Sequence, residues 1–152
     1  MAVYFLDSSG LVKRYVVETG TPWLRGLAAP VSGNTLYIAQ IAGAEIVAAI
    51  TLRVRRKTTT LPDATTAIAN FRYDFDRGYY AVPATLAVIK LAMDLTEKYG
   101  LRGYDAVQLA TALQIQRQRV TIPLLIFISA DNDLNAAASA EGLAVDNPNA
   151  HP

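Results

Sequence analysis

The chain has 152 residues, 52% of them hydrophobic and 18% charged, enough apolar material for one buried core and too much for a disordered segment. Fourteen basic residues against 13 acidic ones give a formal net charge of +1, so bulk charge selects no partner. Cysteine is absent, and the single histidine, His151, lies in a closing stretch, Asp146-Asn-Pro-Asn-Ala-His-Pro152, that reads as a mobile tail. These counts exclude disulfides, thiolate zinc, a cysteine nucleophile, His-ligated zinc and a Ser-His-Asp triad. Any chemistry must come from carboxylates, hydroxyls, amines or an oxygen-bound Mg²⁺ or Mn²⁺. Neither a secretory signal nor an apolar run of about 18 residues is visible, and a reducing cytoplasm is the expected location.

Val3-Tyr4-Phe5-Leu6 has the length and the β-branched and aromatic content of a buried strand, and it stops at Asp7-Ser8-Ser9-Gly10. Leu11, Val12, Tyr15 and Val16 then recur at helical spacing, with Lys13, Arg14 and Glu18 turned away. After Gly20, Thr21-Pro22 reads as the N-cap and first residue of a helix through Ala28. Thr35–Ile38 is a short strand running into a helix over Ala39–Ile50, which leaves the core through Arg53, Arg55, Arg56 and Lys57. Leu61 opens a helix to about Arg77. Tyr79–Val82 is a strand, Leu86–Tyr99 a helix closed by Gly100, and Tyr104-Asp105-Ala106 starts a long amphipathic helix to Arg119. The apolar run Ile122–Ile128 contains the clearest buried strand, from Leu124 onward. Ser129-Ala-Asp131-Asn-Asp133 leads into an alanine-rich helix ending at Gly142, and Leu143–Val145 is a last short strand. This alternation predicts an α/β fold, a three-layer α/β/α sandwich with a mostly parallel central sheet of four to five strands. One domain is expected over residues 1–147, with 148–152 as the tail.

Ligands of open parallel sheets sit beyond the carboxyl ends of the strands, where Asp7 falls. A helix cap explains Asp7 equally well. The exit Ile128-Ser129-Ala-Asp131 repeats the arrangement of a hydroxyl and a carboxylate at a strand end. Asp105 stands at a helix start, where the dipole favours negative charge, and Glu45 lies among apolar neighbours. Taken singly, these read as a first-turn aspartate and a solvent-facing glutamate. Gathered in one place, uncompensated carboxylates would cost several kcal/mol each, and a divalent cation is the simplest remedy.

The order Asp7 in Leu-Asp-Ser-Ser, Glu45 in Ala-Gln-Ile-Ala-Gly-Ala-Glu-Ile, Asp105 in Tyr-Asp-Ala-Val-Gln-Leu-Ala-Thr-Ala and Asp131 in Ser-Ala-Asp resembles the PIN-domain nucleases. The closing segment, Ser129 to Val145, is similar to that of VapC-type toxins of toxin–antitoxin pairs. The resemblance covers almost the whole chain; the approach to Glu45, Ile41-Ala-Gly-Ala, departs from the pattern. It implies a PIN-like fold with Asp7, Glu45, Asp105 and Asp131 as catalytic and metal-binding acids for Mg²⁺ or Mn²⁺. Ser9, Ser129 and Asp133 would support them, Asp133 being equally readable as a solvent or capping aspartate. The implied activity is metal-dependent endoribonuclease cleavage of RNA, with a cognate antitoxin and a homodimer as further expectations.

An acidic crevice repels a polyanion, so basic groups should flank it. Lys13, Arg14, Arg53, Arg56 and Arg102 are the candidate phosphate contacts, solvated helix faces being the plainer reading. Tyr104, Tyr79 and Tyr80 are candidates for base stacking or for the core. A receiver-like domain would show an adjacent acid pair after the first strand and a late lysine; an aspartyl-phosphatase would show Asp-x-Asp, where Ser9 stands in the second place. The standing alternative is a non-catalytic metal- and RNA-binding module, or a degenerate nuclease controlled by a partner.

Overall fold

The computed structural model describes residues 1–119 and 123–152. Five strands, β1 (Val3–Leu6), β2 (Thr35–Ala39), β3 (Tyr80–Val82), β4 (Leu125–Ile128) and β5 (Ala144–Asp146), form one sheet in the order β3-β2-β1-β4-β5. Every pairing is parallel, as the alternation of strands and helices requires. Ile122, where the apolar run before β4 begins, lies outside the described residues.

Successive side chains of a strand face opposite ways. On β1 this sends Leu6 into one core and Val3 and Phe5 into the other. Helices α1 (Ser8–Leu11), α2 (Thr21–Leu27), α3 (Ala42–Arg55) and α4 (Leu61–Arg77) close the first core around Ile38, Ile46, Ile50 and Phe71. Helices α5 (Leu86–Tyr99), α6 (Gly103–Gln118) and α7 (Asn132–Ala140) close the second, where the rings of Phe5 and Phe127 stack 5.6 Å apart. The result is the expected three-layer sandwich. Among the described residues, no helix is long and apolar enough to cross a membrane.

Several local expectations are corrected. The first helical stretch is only the short α1 and a 3-10 turn over Val12–Arg14. Lys13 does not turn away: it is 9% exposed, because its ammonium reaches inward to Glu18 at 3.2 Å. Gly20, at φ 90°, caps α2 in place of Thr21. Thr21 is buried instead, donating its hydroxyl to the Lys13 carbonyl at 2.6 Å. Ala39 ends β2, and α3 starts three residues later at Ala42. Helix α6 is not amphipathic: Ala106 and Gln108 through Leu113 are all buried, as befits a helix sunk between sheet and neighbours. The C-terminal tail is folded back, with Pro148 buried and the His151 ring stacked on Trp23 at 4.0 Å. A Cβ on Gly20 would fall 2.4 Å from the Pro148 carbonyl oxygen, so the tail occupies space that only glycine leaves.

The topology fixes where a site can form. From β1 the chain builds outward through β2 and β3, then crosses to lay β4 and β5 on the opposite side of β1. Strand order therefore reverses between β1 and β4, and the crevice beyond their carboxyl ends is the natural ligand position.

Candidate active site

Asp7 follows directly on β1. The register Leu6↔Ile128 places it beside Ser129, the residue that follows β4. It is 2% exposed, and its backbone N–H donates to the Ile128 carbonyl at 3.0 Å. Its Oδ1 accepts from the Gly10 N–H at 2.9 Å and from Ser9 Oγ at 2.9 Å; its Oδ2 accepts from Ser129 Oγ at 3.0 Å. Asp7 is thus a helix cap and a crevice carboxylate at once. The two hydroxyls are themselves oriented, since Ser9 Oγ accepts from the Ala130 N–H and Ser129 Oγ from the Asp131 N–H, each at 3.0 Å. Gly10 gives the turn room: a Cβ would stand 3.1 Å from the Ile128 carbonyl oxygen and 3.4 Å from Asp7 Oδ1, a tight fit. Burial pushes the Asp7 carboxyl up to about 7, against the lowering effect of the Gly10, Ser9 and Ser129 donors, and the charge of Asp105 adds to the rise.

Glu45 sits in the first turn of α3, half-buried, and meets the crevice from the β2 side. Its Oε1 accepts from Ser8 Oγ at 3.0 Å and from Gln108 Nε2 at 2.8 Å, and the same Nε2 lies 2.9 Å from Ser8 Oγ. Neither Ser8 nor Gln108 carried a role in the sequence reading. Gln108 stands one helical turn after Asp105 but is one of four glutamines on α6, so nothing local singles it out.

Asp105, in the first turn of α6, is half-buried and has its pKa raised by burial first, then by the charges of Asp131 and Glu45, with Arg102 opposing. Its charge in turn makes the smallest contribution to the rise at Asp7. Asp131 caps α7, its Oδ1 accepting from the N–H groups of Asp133 at 2.9 Å and Leu134 at 3.1 Å. Asp133 is exposed on the first turn of α7, where its side chain faces solvent. The structure therefore brings Asp7, Glu45, Asp105 and Asp131 to one end of the sheet, with Ser9 and Ser129 on Asp7.

The basic candidates divide. Lys13 and Arg53 both pair with Glu18, Arg53 Nη2 at 2.6 Å, and Arg14 is held by Asp74 at 3.1 Å and by the Tyr79 hydroxyl. Arg56 and Arg102 are exposed and make no ion pair among the described residues. Tyr79 is buried in that polar cluster, whereas Tyr80 and Tyr104 are each 65% exposed.

The donor set is all oxygen and anionic, which suits a hard divalent cation. Burial first, and the charges of neighbouring acids second, disfavour the ionised forms of Asp7 and Asp105, and a bound cation would offset both. Among the described residues, however, no three of these side chains stand close enough to hold one ion together. Magnesium tolerates this, because it binds through one or two carboxylates and keeps several waters. The residues fit the ion by charge and donor chemistry, not as a preformed cage.

No protein-family model matches the sequence, and no curated protein matches it either. Solved structures do. VapBC2 from Rickettsia felis, bound to a DNA fragment from its promoter, superposes with a TM-score of 0.63 at 14% identity, over 95% of this chain and 98% of that one. A toxin–antitoxin complex from Klebsiella pneumoniae gives 0.62 at 16% identity, over 95% and 97%. PAE2754 from Pyrobaculum aerophilum gives 0.67 at 16% identity, over 99% and 94%. The chain has the PIN-domain fold. The likeness extends over nearly the full length of both chains in each case.

Proposed function

We propose that the chain is a metal-dependent endoribonuclease, the toxin of a type II toxin–antitoxin pair, acting in the cytoplasm through Asp7, Glu45, Asp105 and Asp131. The observation that carries this reading is the placement of four acids at one end of a parallel sheet, beside the point where its strand order reverses. Full-length likeness to a toxin–antitoxin complex from Klebsiella pneumoniae supports the biological setting.

Asp7, Glu45, Asp105 and Asp131 would hold Mg²⁺ or Mn²⁺, which when bound supplies water activation and charge stabilisation at phosphate. Asp7 is the anchored member, fixed by Ser9, Ser129 and Gly10 so that its carboxylate cannot swing. Asp105, half-buried in the first turn of α6, is a carboxylate placed to take the proton of the attacking water as its oxygen bonds to phosphorus and the P–O bond of the leaving strand breaks. With no histidine in the crevice, a carboxylate has to do this. Arg102, adjoining Asp105, and Arg56, at the end of α3, are the cations free to meet the RNA backbone. A cognate antitoxin would cover the crevice, and a second copy of the chain would cover the exposed apolar residues of α5 and α6, Leu86, Met93 and Tyr104 among them.

The test is RNA cleavage by the purified protein in Mg²⁺ or Mn²⁺, before and after excess chelator. Cleavage should stop with chelator and fall at least about 100-fold in Asp7→Asn and Asp105→Asn. Metal-independent cleavage, or undiminished activity in both variants, sinks the reading. The alternative is a module that binds metal and RNA without turnover. RNA and metal binding without cleavage would decide for it.

A further inference from the structure

Gln108 is the strangest residue near the crevice. It is 1% exposed, on a buried helix whose other buried positions are alanine, leucine and isoleucine apart from Thr111, which returns its hydroxyl to the Val107 carbonyl of the same helix. Its Nε2 serves both Ser8 Oγ and Glu45 Oε1, at 2.9 and 2.8 Å, while its buried Oε1 has no hydrogen-bond partner among the described residues. Turning the amide over would aim that oxygen at Glu45, and an ionised carboxylate can only accept, so the pair fixes the amide in its wasteful orientation. An orphaned buried carbonyl is destabilising, whereas an apolar side chain of the same shape would match the stripe. Stability therefore does not explain a glutamine at this position.

We propose that Gln108 is a positioning residue: with Ser8 it pins Oε1 of Glu45, fixing the side chain so that Oε2 is presented to the crevice. The assignment rests on the reading of Glu45 as a metal-site acid. The same logic operates on Asp7, held by Ser9 and Ser129, so two of the four acids have their own hydrogen-bonded braces. Such outer partners commonly change metal affinity 10- to 100-fold when lost. Glu45 and Gln108 come from α3 and α6, elements on opposite faces of the sheet, so the brace also ties the two layers together at the crevice.

The test uses Gln108→Met, nearly isosteric and without a donor, on the full chain. Mn²⁺ affinity is read by titration, and thermal stability by melting, for the wild type, Glu45→Gln, Gln108→Met and the double variant. The expected result is a melting temperature within about 3 °C of wild type or higher, with Mn²⁺ binding weakened about 10- to 100-fold. In the double variant the losses should not add. A Gln108→Met protein that melts well below wild type yet binds Mn²⁺ unchanged, or strictly additive effects, would overturn the inference and leave a structural glutamine. If the wild type binds no Mn²⁺ at all, the nuclease reading fails. The melting temperatures still judge the brace in that case: coupling between positions 45 and 108 supports it and additivity overturns it.

Discussion

Asp7 carries the sharpest conflict in the molecule, a carboxylate with three donors and almost no water. Its pKa, pushed up to about 7 from 3.8 chiefly by burial, means that the folded chain holds a proton over a range where the unfolded chain has lost it. Stability from this group is complete below about pH 4 and is lost as pH rises through about 7, at no more than about 1.4 kcal/mol for each pH unit. The metal-free wild type should therefore weaken between pH 4 and 7, and Asp7→Asn should lack that slope. Urea melts of both proteins across this range measure it; parallel pH curves would refute the account. Added Mg²⁺ should restore more stability at pH 8 than at pH 5, because only the ionised carboxylate attracts it. The positions of the four acids, at strand exits and helix starts, were legible in the chain. Ser8 and Gln108 were not, because their partners lie 37 and 63 residues from them and only packing joins the three.

Helix α7 shows one residue performing two tasks. Asp131 caps it through two backbone N–H groups and faces the other acids with the same carboxylate. Asparagine caps a helix about as well as aspartate, but alanine does not. Asp131→Ala should thus cost about 1 kcal/mol, a fall in melting temperature of about 2–4 °C. Asp131→Asn should melt close to wild type while losing the charge that the site needs. Comparing melting and cleavage for the pair separates the tasks; equal stability loss in both would deny the cap. Most elements could be placed from the sequence, because apolar runs of three to five residues and helix-ending glycines such as Gly100 and Gly142 leave local marks. The errors fell where tertiary bonds outweigh local preference. Thr21 has the chemistry of a cap, yet its hydroxyl is taken by the Lys13 carbonyl, and α6 reads as amphipathic only until α5, α7 and the sheet surround it.

At the scale of the whole molecule, the face made by α5 and the start of α6 is out of balance with the rest of the surface. Leu86, Met93 and Tyr104 are 70%, 66% and 65% exposed, with Ile89 between them at 38%. Apolar residues clustered in this way mark an interaction face. Met93→Glu should convert a dimer to a monomer in sedimentation without lowering the melting temperature of the monomer. A wild type that is monomeric at high concentration would remove the homodimer from the functional reading.

The folded-back C-terminus also gives the chain a built-in optical reporter. Trp23 is its one tryptophan and His151 its one histidine, and their rings lie parallel within 5°. An imidazole held against an indole quenches its emission, so release of the last five residues should brighten the fluorescence and shift it to the red. Termini open at lower free energy than cores, and in rising urea this optical change should precede the loss of helical circular dichroism. Deleting residues 148–152 should produce the released spectrum without any denaturant; a spectrum unchanged by deletion would show that the stack does not form in solution. A binding partner that seats on α2 or on the tail would then announce itself in the emission of the unlabelled protein.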